Sequence, residues 1–212
     1  MLFDGVTLKE VVICWPLALI TYQRPSDSVV LINNGTVVIS GFTIMMNGLN
    51  SFGGGGIFNE GTLALNASTV SNNFAESTFG IEGADGGGIF NEGTISIADS
   101  TISDNTAVNA GAPFSVGGAG GGIYNKGMMS IADSTISDNT ANIFGGGIYQ
   151  RAGTLTITDS TISGNTAEDK GGIADIGGTS SLGATIMASN SGGNCAPGGT
   201  ITSVGYKMHR RA

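Results

Sequence analysis

The chain has 212 residues, 8 Lys+Arg against 16 Asp+Glu, a net charge of −8 and 37 glycines. That length suits one domain with a sizeable core, and the acidic balance argues against a nucleic-acid partner, which needs clustered Lys and Arg to neutralise phosphates. Apolar residues reach 40% and fall at regular places, so the glycine content does not denote disorder; glycine follows no three-residue rule, which excludes collagen.

Residues 1–30 match nothing downstream and are set apart as an N-terminal cap or poorly matching segment. Their apolar run, residues 11–22 (VVICWPLALITY), is too short to span a bilayer as a helix. As a signal peptide it is poor, because Asp4 and Glu10 spoil the basic start and no small-residue cleavage site follows. A cap has a physical reason, since the first layer of a repeat array exposes strand edges and an open core.

Residues 31–206 are repetitive. Residues 86–107 read GGGIFNEGTISIADSTISDNTA and 120–141 read GGGIYNKGMMSIADSTISDNTA, with close copies at 54–75 and 145–167. Weaker copies stand at 34–47 and 171–190. The glycine runs begin at 54, 86, 120 and 145, in steps of 32, 34 and 25, and nearly all the extra residues lie between the closing Ala and the next glycine run. Each copy holds three runs compatible with period-2 alternation, too short for helices and separated by turn residues. Three strands and three turns in about 22 residues make one coil of a triangular solenoid, so the predicted fold is all-β: a right-handed parallel β-helix of about six coils. Residues 207–212 form a tail.

Stacking places equivalent residues in ladders about 4.8 Å apart. Three inward ladders are expected: Ile57, Ile89, Ile123, Ile148 and Ile173; Leu65, Ile97, Ile131 and Ile157; and Val70, Ile102, Ile136 and Ile162. Asn73, Asn105, Asn139 and Asn165 are expected to form an internal ladder that satisfies turn backbone groups. Cys14 and Cys195 lie near opposite ends, on the order of 25 Å apart at that spacing, which is beyond disulfide reach.

The Gly-Gly-Gly-Ile-Phe/Tyr and Thr-Ile-Ser-Asp-Asn motifs resemble the parallel β-helix repeats of bacterial surface proteins, including the polymorphic outer-membrane protein type. The run Asn190-Ser191-Gly192-Gly193-Asn194-Cys195, followed by residues 201–206 (ITSVGY), is similar to the closing coil of secreted β-helix proteins that carry a C-terminal sorting domain. Such tails usually run on, whereas this chain stops at Ala212, so a fragment of a longer protein is expected. The resemblance implies a secreted or surface-displayed bacterial protein and covers roughly residues 30–206.

Four features carry candidate functions. Asp99, Asp133 and Asp159 form an outer column: turn-forming Asp is the plainer reading, and a Ca2+ site or catalytic acids the sharper ones. Bases are scarce beside them, with Lys126 and Arg151 on another turn and the only His, His209, in the tail. Thr69/Ser71, Thr101/Ser103, Thr135/Ser137 and Thr161/Ser163 make a hydroxyl ladder of the kind an ice-binding face would use. Phe58, Phe90, Tyr124 and Tyr149 follow the inward Ile and should point outward, either as a binding strip or as a column covered by the loops at 76–85 and 108–119. Those loops are the best place to seek partner recognition. The resulting expectation is a non-catalytic structural or adhesive rod contacting protein or carbohydrate at a cell surface or matrix, able to associate end to end. No cofactor is expected apart from the Ca2+ option. The alternatives are a polysaccharide-acting enzyme and an ice-binding protein.

Overall fold

The structure, a computed structural model, describes residues 10–21, 31–45, 48–49, 53–77, 84–109 and 117–204. The chain winds as a parallel β-helix, and every paired strand is parallel to its neighbour. A leading strand β1 (Glu10–Thr21) precedes β2 (Leu31–Asn33), β3 (Thr36–Met45) and β4 (Gly48–Leu49). The next coils are β5 (Ile57–Asn59), β6 (Thr62–Asn66), β7 (Thr69–Ser71) and β8 (Phe74–Ser77), then β9 (Ile89–Asn91), β10 (Thr94–Ala98), β11 (Thr101–Ser103) and β12 (Thr106–Asn109). They continue with β13 (Ile123–Asn125), β14 (Met128–Ala132), β15 (Thr135–Ser137) and β16 (Thr140–Ala141), then β17 (Ile148–Gln150), β18 (Thr154–Thr158) and β19 (Thr161–Ser163). The last are β20 (Ile173–Asp175), β21 (Thr179–Gly183) and β22 (Ile186–Ala188), then β23 (Cys195–Pro197) and β24 (Thr200–Val204).

These strands stack into three long faces. One runs β2-β5-β9-β13-β17-β20-β23; the other two, β6-β10-β14-β18-β21-β24 and β7-β11-β15-β19-β22, are joined because the long β3 spans both. The expected three strands per coil need one correction: a short fourth strand follows the corner Asn in several coils, and β4, β8, β12 and β16 stack as a sheet of their own. Its sequence (Phe74-Ala75, Thr106-Ala107, Thr140-Ala141) alternates outward and inward, but it runs straight into the variable loops and so looks like their beginning. Residues 10–21 also join the stack: Glu10 to Cys14 pair with Thr36 to Ser40 and, after a register shift, Ala18 to Thr21 pair with Phe42 to Met45. That part of the supposed cap extends the sheet by one strand.

The core is a column of branched aliphatics. All three expected ladders point inward, and the first is fully buried from Ile57 to Ile173. A fourth inward row, Val37, Leu63, Ile95, Met129 and Leu155, completes it. β-Branched residues suit this position because one χ1 rotamer suffices and each methyl packs on its copy above and below.

Between the aliphatic rows run buried polar ladders. Asn73, Asn105, Asn139, Asn165 and Asn190 each donate Nδ2–H to Oδ1 of the next Asn at 2.9–3.0 Å. The same Oδ1 accepts the backbone N–H of the Asn one coil earlier. The series closes locally, because Asn190 donates to Asn194, only four residues on. Gly88 shows why glycine must face this ladder: a Cβ there would sit 2.7 Å from the Gly122 carbonyl and 3.0 Å from Asn105 Cγ.

A second amide ladder follows the rings. Asn59, Asn91 and Asn125 donate along the stack at 2.7 Å to Asn91, Asn125 and Gln150, and all are fully buried. Asp175 takes the next position, where its carboxylate accepts from Gly178 N–H and Ser180 Oγ–H. A third series uses hydroxyls: the backbone N–H of Ser68, Ser100 and Ser134 donates to Oγ of Ser100, Ser134 and Ser160.

Asn139 holds four ladder bonds across three coils, so Asn139→Ala should cost about 2–4 kcal/mol, since it strands buried partners above and below. The half-buried Thr135→Ala should stay within about 0.5 kcal/mol. Urea midpoints of the two variants, with the slope unchanged, check this.

Candidate functional site

The residues with chemistry gather on the face of β5, β9, β13 and β17. Alternation turns Phe58, Phe90, Tyr124 and Tyr149 outward, and in-register pairing stacks them. Ring centroids lie 5.0, 4.9 and 5.1 Å apart; the first three rings are parallel within 5° and Tyr149 tilts by 34°. The rings are not an open strip. Phe90, Tyr124 and Tyr149 are only 5–7% exposed, beneath Ala119, Phe144 and Ile176. Ala119 ends the insertion before β13 and Phe144 ends the three residues between Ala141 and the Gly145 run, so these two come from the variable corner, whereas Ile176 comes from the turn after β20. Ala174 replaces the ring in the next coil and ends the column.

Charged groups border the column. Lys126 Nζ pairs with Glu92 at 2.9 Å and lies 5.1 Å from the Phe90 ring centroid and 5.7 Å from that of Tyr124. Both partners of the ion pair are partly exposed, so it contributes little stability. Arg151, one coil on, pulls the Tyr124 phenol down against the larger upward push of burial. Asp85 is the group that sequence reasoning missed. Its Oδ1 accepts the Ala119 N–H at 3.0 Å and its backbone carbonyl accepts the Gly54 N–H at 2.9 Å, so it ties together the loop ends of three coils. Burial pushes its carboxyl up to about 6, although the Ala119 N–H and the Lys126 and Arg151 charges pull the other way. Asp85 lies in an insertion, outside every repeat, and no periodic signal marks it.

This arrangement seats Ala119, Phe144 and Ile176 against the rings. Burial and the Asp85 charge push the Tyr124 phenol well up, and burial pushes Tyr149 up too, so both stay protonated and neither is tuned as a base. Asp85 has a raised pKa, and it already serves as an acceptor for a backbone amide.

The other predicted positions lie elsewhere. Asp99, Asp133 and Asp159 are exposed and adopt left-handed backbone with φ of 50°, 49° and 48° at the corner between the second and third strands. Asp tolerates that conformation better than most residues, which accounts for the column as turn chemistry. Among the described residues no three His, Cys, Asp or Glu side chains come together as metal ligands would. Thr69, Thr101, Thr135 and Thr161 line up in register, as do Ser71, Ser103, Ser137 and Ser163, but these rows are half-buried, and Ser71 is only 8% exposed. Cys195 carries a free thiol on β23, at the far end of the stack from the strand that holds Cys14. His209 and the tail lie outside the described residues. No helix among the described residues is long and apolar enough to cross a membrane.

Comparison with known proteins agrees with this geometry. Residues 99–126 and 133–151 match the model of the Chlamydia polymorphic membrane protein repeat. No curated protein and no solved structure matches the chain. The chain is therefore a parallel β-helix repeat protein, and over those two stretches it is similar to the polymorphic membrane protein repeat.

The Asp85 environment makes a signed prediction. Its folded pKa lies above the ordinary carboxylate value near 4, so the folded chain holds an extra proton between about pH 4 and pH 6. Stability contributed by this group is therefore full below pH 4 and falls as pH rises through 6. Asp85→Asn keeps an acceptor for Ala119 while removing the charge. Melting temperatures recorded from pH 4.5 to 7.5 should show the variant gaining on the parent toward neutral pH, and a parallel shift of both curves would contradict this assignment.

Proposed function

We propose that the chain is a non-catalytic adhesive module, a stiff rod that carries variable loops from one corner to a protein or carbohydrate partner at a cell surface or matrix. The observation that carries this reading is the confinement of length variation. Between the closing Ala141 and the glycine run at Gly145 the connector is only Asn142-Ile143-Phe144, whereas the gaps after Ala75 and Ala107 hold ten and twelve residues, and the rest of each coil is held in register. A scaffold under such constraint with one free corner separates rigidity from recognition. The surface-protein repeat supports the same reading.

Shortening tests it. Deleting residues 78–83 and 110–116, which brings both gaps close to the length of the Asn142-Ile143-Phe144 connector, should leave the melting transition and β-sheet circular dichroism intact. Binding of the purified chain to host cells or extracellular-matrix components, measured by surface adsorption, should be lost. If the shortened chain binds as the parent does, recognition does not reside at this corner and the reading fails.

A further inference from the structure

A second surface is set apart by what it lacks. On the face of β3, β6, β10, β14, β18, β21 and β24 the first outward position is Thr36, Thr62, Thr94, Thr154, Thr179 or Thr200, with Met128 the one interruption. The pairing runs through all seven strands without a register shift, so these residues form one row. Most of them are exposed, unlike the Thr-x-Ser rows around the next corner. The two outward rows beside it hold only Val, Ala, Ser, Thr, Asn and Gly. On these seven strands no outward position of the three rows is charged or aromatic, although Glu10 of β1 pairs with Thr36 and Glu60, Glu92, Lys126 and Arg151 border the row on the preceding turn.

Those absences narrow the occupant. Without Lys or Arg the face has nothing to offer a polyanion or an anionic membrane. Seven strands and three rows cover roughly 400 Å², about half of what each partner buries in a stable protein interface, and the aromatic and Arg anchors of such interfaces are missing. What remains is a stiff, neutral grid. Neighbouring strands of a sheet lie about 4.8 Å apart, and the ring centroids on the adjoining face repeat at 4.9–5.1 Å. Along each strand the rows repeat at about 6.7 Å. Threonine is restricted at χ1, so each hydroxyl and each methyl keeps its place, and every hydroxyl both donates and accepts. Fixed donors and acceptors among methyl groups order adjacent water rather than compete with it.

We propose that this Thr row binds ice. The fixed grid holds water in a lattice-like layer that a growing crystal can incorporate, and Met128, 56% exposed and flexible, is the weak point of the row.

The test uses the full chain with three exposed substitutions. Thr154→Lys puts a long charged side chain in the middle of the grid, Thr166→Lys makes the same change at an exposed position on the fourth-strand corner, and Met128→Thr completes the row. Partition of the protein into slowly grown ice and the gap between melting and freezing temperatures are the readouts. The parent and Thr166→Lys should enter the ice, Thr154→Lys should be excluded, and Met128→Thr should widen the gap, with all four chains melting alike. Exclusion of the parent from ice overturns the proposal. So does equal behaviour of the two Lys variants, or adsorption of the parent to insoluble neutral polysaccharide that Thr154→Lys abolishes while ice partition is unaffected.

Discussion

The whole structure depends on hydrogen bonds lent from one coil to the next at the corners. A solenoid this narrow turns backbone N–H groups inward at its bends, where no water reaches and a strand ladder cannot continue. The N–H groups of Asn73, Asn105 and Asn139 are met by Oδ1 of the Asn one coil later, and those of Ser68, Ser100 and Ser134 by the next Ser hydroxyl. An unsatisfied buried donor costs more than a typical net hydrogen bond gains, so these residues act as terms of closure rather than as ornaments on an aliphatic core. The aliphatic rows supply the bulk of the driving force; the amides fix which register and which spacing that force selects.

That division explains where the chain tolerates change. Strand positions answer to copies above and below, and Gly88 is held to glycine by the Asn105 amide and the next coil's carbonyl. Only the stretch beyond the Asn corner is released from both demands, and the insertions accumulate there. The rings then serve as a hydrophobic seat for whatever the insertions bring back: Ala119 in one coil, Phe144 in another.

The parts legible in the sequence were those that repeat. Ile57 to Ile173 and Asn73 to Asn165 announced themselves through identical spacing, and each took its expected place. The second amide ladder was harder to see, because Asn59, Asn91 and Asn125 sit in Asn-Glu-Gly and Asn-Lys-Gly runs that read as ordinary turns, and because Gln150 and Asp175 break the identity while keeping the position. The exposed Thr row was overlooked for a related reason: Met128 interrupts it, and the Thr-x-Ser motif one strand later is the more regular pattern. The burial of the rings depends on groups folded over them, which periodicity does not report. Asp85 belongs to no repeat at all, and its tie to Ala119 spans 34 residues between two insertions.

The Asn ladder also has a direction. Each amide donates toward the C-terminal end, and each corner N–H waits for an oxygen that the next coil brings. A chain emerging N-terminus first therefore carries one incomplete corner at its growing edge, repaired only when the following coil arrives. Emergence from the C-terminal end reverses this: the Asn190–Asn194 closure forms within a few residues, and every later coil docks onto acceptors already in place. The end from which the chain begins to fold thus sets whether folding trails the moving end or proceeds as a ratchet from a finished template.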